Sequence, residues 1–144
     1  MYNRLTFLTG ENLMSQAFTI TKTDGPITVL HLDGHLDSQA EGMLVESVRQ
    51  TQAAGIHLLV LDFSNVEMIT SAGLRALHRI YKMFTPHDEM EAWQKAHEGE
   101  VYKSPYFKLA GVSPEVHYVL SIAGFLQNIP IYPTFQEAME SFPT

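Results

Sequence analysis

The sequence predicts one mixed α/β domain with a largely parallel sheet in a chain of 144 residues. Three observations carry that prediction. Short apolar runs alternate along the chain with segments of helical periodicity, and such alternation requires crossover connections between parallel strands. The first two runs are separated only by a turn signal, which sets an antiparallel hairpin ahead of the parallel part. Hydrophobic residues make up 45% and charged residues 17%, a globular balance with enough apolar mass for one core.

Each element follows from its local pattern. "AFTITK" (17–22) alternates apolar and polar residues as a half-buried strand does. "ITVLHL" (27–32) is the second strand, after the turn "DGP" (24–26), and "DGHLD" (33–37) is read as its end. Ser38 and Glu41 have the S-x-x-E spacing of a capping box. The helix they open carries Ala40, Met43, Leu44, Val48 and Thr51 on one face and is stopped by Gly55. "HLLVLDF" (57–63) is short and aliphatic, the signature of a strand covered on both faces. The link "SNVEMIT" then leads to a helix opened by Ser71, with Leu74, Leu77, Tyr81 and Phe84 on one stripe and Ile80 alongside.

Residues 85–104 exceed a minimal connection. Asp88, Glu89, Glu91, Glu98 and Glu100 outweigh Lys95 and Lys103 there, and a short helix over 86–97 holds the single tryptophan, Trp93. "YFKLAGV" (106–112) is a further strand. Ser113-Pro114 then supplies an N-cap with proline at the first helical position, before an apolar face of Val116, Val119, Leu120 and Ala123. Phe125 and Leu126 read as core. "IPIY" (129–132) is a last strand that Pro130 confines to an edge. Thr134 and Glu137 form a second capping box, opening a helix with Phe135, Ala138, Met139 and Phe142 on its apolar side.

Charge and composition exclude several classes. Sixteen acids against nine bases leave a formal net charge of −7, which provides no footprint for nucleic acid and is repelled by an anionic membrane surface. The chain has no cysteine, which removes disulfides, thiol catalysis and cysteine metal sites. No stretch reaches the ~20 apolar residues of a membrane helix, so no membrane insertion is expected. "MYNRLTFLTGENLMSQ" (1–16) is an unpatterned N-terminal extension without the apolar core of a signal peptide, and Met14 serves equally well as a start. The expectation is a cytoplasmic protein.

Ser71 is the sharpest functional candidate. The first turn of a helix exposes unpaired N–H groups and a partial positive charge, so a phosphoserine there is stabilised. Gly73 costs its helix ~1 kcal/mol relative to alanine, and leaving the turn open to a partner is one reason to keep it. The plain alternative is that Thr70 or Ser71 is only an N-cap. Asp37 and Asp62 both follow apolar runs and are expected at loop ends beside Ser71, where a carboxylate shapes a partner surface and repels an added phosphate. Ordinary turn and cap chemistry is the alternative for both. His31 and His35 in "HLDGHLD" match no metal-ligand spacing, and no metal site is expected. There is no G-x-S-x-G, P-loop or G-x-G-x-x-G, so neither catalysis nor a cofactor is expected. Trp93 reads as a partner anchor or as a satellite core.

"HLDGHLDSQAEGML", "LLVLDFSNVEMITSAGLRALHRIYK" and "FKLAGVSPEVHYVLSIAGF" together resemble the STAS domain of anti-sigma factor antagonists. The resemblance runs from about Ala17 to Phe142 apart from the 85–104 insertion, which sets the domain at 17–144, and its specific part is the middle block with its Ser-x-Gly-Leu helix start. It implies a four- to five-stranded mixed sheet packed by about four helices, mostly on one side, with the insertion as an extra helix. It also implies a function. Such a protein binds an anti-sigma factor with serine-kinase activity and so frees a sigma factor, phosphorylation of the helix-start serine breaks the complex, and a PP2C-type phosphatase restores it. Carried over, Ser71 matches the phosphorylated serine, Gly73 and Leu74 the residues after it, Asp37 the aspartate ending the G-x-L-D turn, and Asp62 the aspartate closing the central strand. This chain has Thr70 where many members have an acid, which makes Thr70 a rival acceptor and a partner-contact candidate, and Ala72 where many have a second serine. The alternative function is a non-enzymatic STAS subunit of a larger complex, such as a lipid-transport ABC system or a stress-signalling scaffold.

Overall fold

A computed structural model describes residues 18–143. The expected extension, its Met14 start and the Ala17 end of the first strand lie outside the described residues. The element order is β1 (Thr19–Thr23), β2 (Ile27–Leu36), α1 (Ser38–Ala53), β3 (Leu58–Ile69), α2 (Ser71–Met83), α3 (His87–Ala96), β4 (Phe107–Ala110), α4 (Pro114–Ala123), β5 (Ile131–Tyr132) and α5 (Phe135–Glu140). A single 3₁₀ turn over Phe125–Gln127 follows α4. One five-stranded sheet runs β1-β2-β3-β4-β5, antiparallel between β1 and β2 and parallel thereafter. The expected mixed α/β sheet, its hairpin and the extra helix of the insertion are therefore present.

Alternation along the strands sends side chains to two faces. Leu30, Leu32, Leu59, Leu61, Phe63, Phe107 and Leu109 point to the face covered by α1, α2 and α4, where they meet Leu44, Val48, Leu77, Ile80, Val116 and Leu120. The other face is smaller: Val29, Val60 and Ala110 pack under Ala138 and Phe142 of α5. β3 is thus buried on both sides over its first half, as its unbroken apolar run requires.

Two strands run further than the sequence pattern indicates. "DGHLD" does not end β2, and "SNVEMIT" is not a link. β2 continues to Leu36 and β3 to Ile69, paired in parallel to that last pair. Register shifts between His31 and Asp33 and between Gly34 and His35 break the period of two, so the alternation that marks a strand is lost although the pairing continues. The extension carries the two strand ends beyond β1 and β4 and delivers α1 and α2 side by side.

Candidate functional site

The site is built where the paired ends of β2 and β3 turn into helices. Leu36 and Ile69 are register partners, and the next residues, Asp37 and Thr70, are the two N-caps. Thr70 N donates to the Leu36 carbonyl at 3.1 Å, which ties the two turns together. Two helix N-termini, with their partial positive charges, therefore open next to each other.

Asp37 Oδ1 accepts from the amides of Gln39 and Ala40, each at 3.1 Å. The cap of α1 is thus Asp37, and the Ser38–Glu41 capping box is not formed. Ser38 is already the first helical residue, one place too far along for its hydroxyl to reach the third amide. Glu41 instead faces α2 and pairs with Arg75, at 3.2 Å to Nη2 and 3.4 Å to Nε. At the second turn Thr70 Oγ1 accepts from Gly73 N at 3.5 Å and lies 3.4 Å from the Leu36 carbonyl. Thr70 is half-buried with its hydroxyl turned inward, while Ser71, the first helical residue of α2, is exposed.

Gly73 does not leave the turn open. It is buried, and a Cβ on it would lie 2.4 Å from the Leu36 carbonyl oxygen and 2.6 Å from Ile69 Cγ1. The glycine is needed because the start of α2 presses directly onto the end of β2. Leu74 is half-buried against the main core, as is Tyr81, and the strongest burial on α2 falls on Ala72, Ala76, Leu77 and Ile80. The outward arc of α2 carries Ser71, Arg75, His78, Arg79 and Lys82. This basic strip on a chain of net charge −7 was visible as a four-residue spacing in the sequence.

Asp62 is elsewhere. It sits in the middle of β3, seven residues before the strand end and roughly 20 Å from Ser71 at the usual strand rise. It is only 7% exposed, on the α5 side of the sheet. His31 Nδ1 lies 2.7 Å from its Oδ2, and Ser64 donates to its Oδ1 from Oγ at 2.6 Å and from N at 3.0 Å. Burial alone raises this carboxyl, but the hydrogen bonds from Ser64 and His31 outweigh it and hold the group below the usual aspartate range. The other His31 nitrogen reaches Thr23 Oγ1 at 2.9 Å, and its ring packs edge-on to Phe135. His35 pairs at 3.6 Å with Glu67. Among the described residues no group of three or more His, Cys, Asp or Glu side chains is placed to hold a metal ion.

Sequence reasoning missed the His31–Asp62 and Glu41–Arg75 pairs. Each links two elements whose register or packing the linear pattern does not contain. Trp93 of α3 stacks on His97 at 4.3 Å and meets Tyr102 edge-on at 5.5 Å, forming the satellite core. Phe125 and Leu126 are half-buried against the main core. A cleft of about 370 Å³ lined by Gln52, His57, Met83, Phe84, Pro86 and Tyr106 opens at the amino ends of β3 and β4, away from Ser71.

Residues 18–88 match the family model of the STAS domain. No curated protein sequence matches the chain. Three solved structures share the fold. An anti-sigma factor antagonist from Mycobacterium paratuberculosis is 21% identical, with 87% of this chain and 93% of that one covered and a TM-score of 0.68. The Bacillus cell fate determinant SpoIIAA in its phosphorylated form is 17% identical, with 86% and 97% covered and a TM-score of 0.55. A sulfate transporter family protein from Wolinella succinogenes is 14% identical, with 82% and 85% covered and a TM-score of 0.59. Among the described residues no helix is long and apolar enough to cross a membrane. With the matched segment spanning β1 to the start of α3, and with the fold shared with those structures over most of its length, the chain folds as a single STAS-like α/β domain.

Proposed function

We propose that the protein is an anti-sigma factor antagonist whose binding to an anti-sigma factor is switched by phosphorylation of Ser71. It acts by binding, not by catalysis. The observation that carries this reading is the contrast at the mouth of α2: Ser71 is exposed at the first helical position, while the neighbouring Thr70 hydroxyl caps the helix. An exposed hydroxyl at a helix start suits a kinase, and a dianion there is stabilised by the helix terminus. A similar fold solved in a phosphorylated form supports the same reading. Asp37 borders the site as the cap of α1, Leu74 supports α2 from beneath, and Gly73 sets its close approach to β2. Asp62 lies too far away to repel a phosphate on Ser71. In this reading the disruption comes from placing two negative charges and their hydration in a packed contact.

The test is intact-mass analysis after incubation with the cognate anti-sigma factor and ATP. One added phosphate is expected on the chain, none on Ser71→Ala, and removal by a PP2C-type phosphatase. Ser71→Ala should stay bound to the anti-sigma factor while Ser71→Asp binds weakly. A phosphate that persists in Ser71→Ala and vanishes in Thr70→Ala moves the switch by one residue. An unchanged mass with equal binding by both Ser71 variants leaves the reading of a structural STAS subunit.

A further inference from the structure

We propose that Arg75 is the receptor for a phosphate on Ser71, and that phosphorylation draws its guanidinium away from Glu41 of α1. This rests on the reading of Ser71 as the modified residue. Ser71 and Arg75 stand four residues apart on the exposed side of α2. That spacing puts their Cβ atoms ~5–6 Å apart, within reach of a guanidinium and a phosphate. The acidic group on the N-terminal side and the base on the C-terminal side is also the favoured order. The next basic side chains on this face, His78, Arg79 and Lys82, lie about 10 Å, about 12 Å and about 16 Å further along the axis than Ser71.

Arg75 is free to change partners. Its side chain is 61% exposed, and its two bonds to Glu41 are long, at 3.2 and 3.4 Å. Glu41 offers one charge, whereas a phosphate offers nearly two and a set of oxygens that the planar guanidinium fork can grip with two parallel bonds. Glu41 lies in the first turn of α1, so its carboxylate keeps the favourable field of that helix after Arg75 leaves. The other carboxylate facing the site, Asp37, is held by the Gln39 and Ala40 amides.

The exchange alters the surface at two points. A dianion appears at Ser71, and the only bridge between the outer faces of α1 and α2 recorded among the described ion pairs is opened. A partner that fits the bridged surface then meets an unpaired Glu41 carboxylate as well as the phosphate.

The test needs no kinase. Phosphoserine is installed at position 71 of the full chain by genetic encoding, and the second ionisation of the phosphate is followed by ³¹P NMR. With Arg75 present it should titrate about 0.2–0.4 pH unit lower than in Arg75→Gln. Arg75→Lys should recover part of that shift, and Arg79→Gln should leave it unchanged. Nitrogen resonances of the Arg75 side chain should show coupling to phosphorus, and the Glu41 carboxyl carbon should move toward an unpaired position. Melting of the unphosphorylated variants checks that the exposed Arg75 substitutions leave the fold intact. A phosphate that titrates identically in Arg75→Gln, or a Glu41–Arg75 pair that survives phosphorylation, overturns the exchange. Because the phosphate is encoded, a failure of the kinase to modify Ser71 is a separate result that bears only on the proposed switch.

Discussion

At Gly73 the backbone of α2 lies so close to the end of β2 that there is no room for a Cβ. Any side chain there meets the Leu36 carbonyl oxygen at 2.4 Å and Ile69 Cγ1 at 2.6 Å. Neither neighbour can yield, since Leu36 and Ile69 are the last register pair of the sheet. Gly73→Ala should therefore cost stability despite the better helix propensity of alanine. About 1–3 kcal/mol of lost stability, the usual range for overpacking, is expected in urea denaturation followed by circular dichroism. A variant as stable as the parent shows that the turn has slack. The neighbouring cap makes a contrasting case. Asp37→Ala loses two amide bonds and should cost about 1 kcal/mol, while Asp37→Asn keeps an acceptor and should cost less in the same measurement.

Among the elements, α3 is held most loosely. None of its residues is buried, and its contact with the body of the protein runs through the Trp93–Tyr102 pair and the Glu89 bond to the Tyr106 hydroxyl. Elements with little burial open first. As Trp93 is the single tryptophan, its fluorescence should change at a lower urea concentration than the far-ultraviolet signal of the whole helix content. Coincident transitions would make α3 part of the cooperative core. The helices illustrate what a sequence discloses. α4 and α5 were legible to the cap, because Ser113-Pro114 and Thr134 are local signals that the structure uses as written: Ser113 Oγ accepts from Val116 N and Thr134 Oγ1 from Glu137 N. Ser71 was legible for the same reason, as a polar residue opening an apolar periodic segment. The ends of β2 and β3 were not, because Gly34 and Asn65 look like loop residues until a parallel partner strand pairs with them, and Ser64 and Glu67 fall at the register shifts, where no residue of β2 stands opposite. With those ends hidden, Asp62 was set beside Ser71 instead of in mid-sheet, and the Glu41–Arg75 bridge stayed invisible.

The whole molecule divides its charges unevenly between the two faces of the sheet. The face under α1, α2 and α4 buries no charged side chain among the described residues, whereas the α5 face buries Asp62 with His31 and also Lys108, whose ammonium lies 4.0 Å from the Phe142 ring centre and 2.7 Å from Ser141 Oγ. Burial pushes Lys108 below the usual lysine range, and the same burial acts against Asp62 until its hydrogen bonds prevail. The consequence for acid stability follows from linkage. In the unfolded chain Asp62 takes up its proton near pH 4, the ordinary range. In the folded chain its carboxyl is held lower, so between those two values the unfolded state binds more protons and stability falls as pH falls. The contribution is complete above the unfolded value and gone below the folded one. Asp62→Asn cannot titrate, so it should be less stable than the parent at neutral pH, and the gap should shrink steadily as pH drops below about 4. Calorimetric melting temperatures of both chains across that range measure the gap directly. His31→Gln removes one of the three hydrogen bonds that lower the carboxyl, so the contribution should be smaller and its loss complete at a higher pH. If the parent and Asp62→Asn keep a constant difference from neutrality into acid, the bonds from Ser64 and His31 do not control the ionisation of Asp62, and the α5 face is held by its apolar contacts alone.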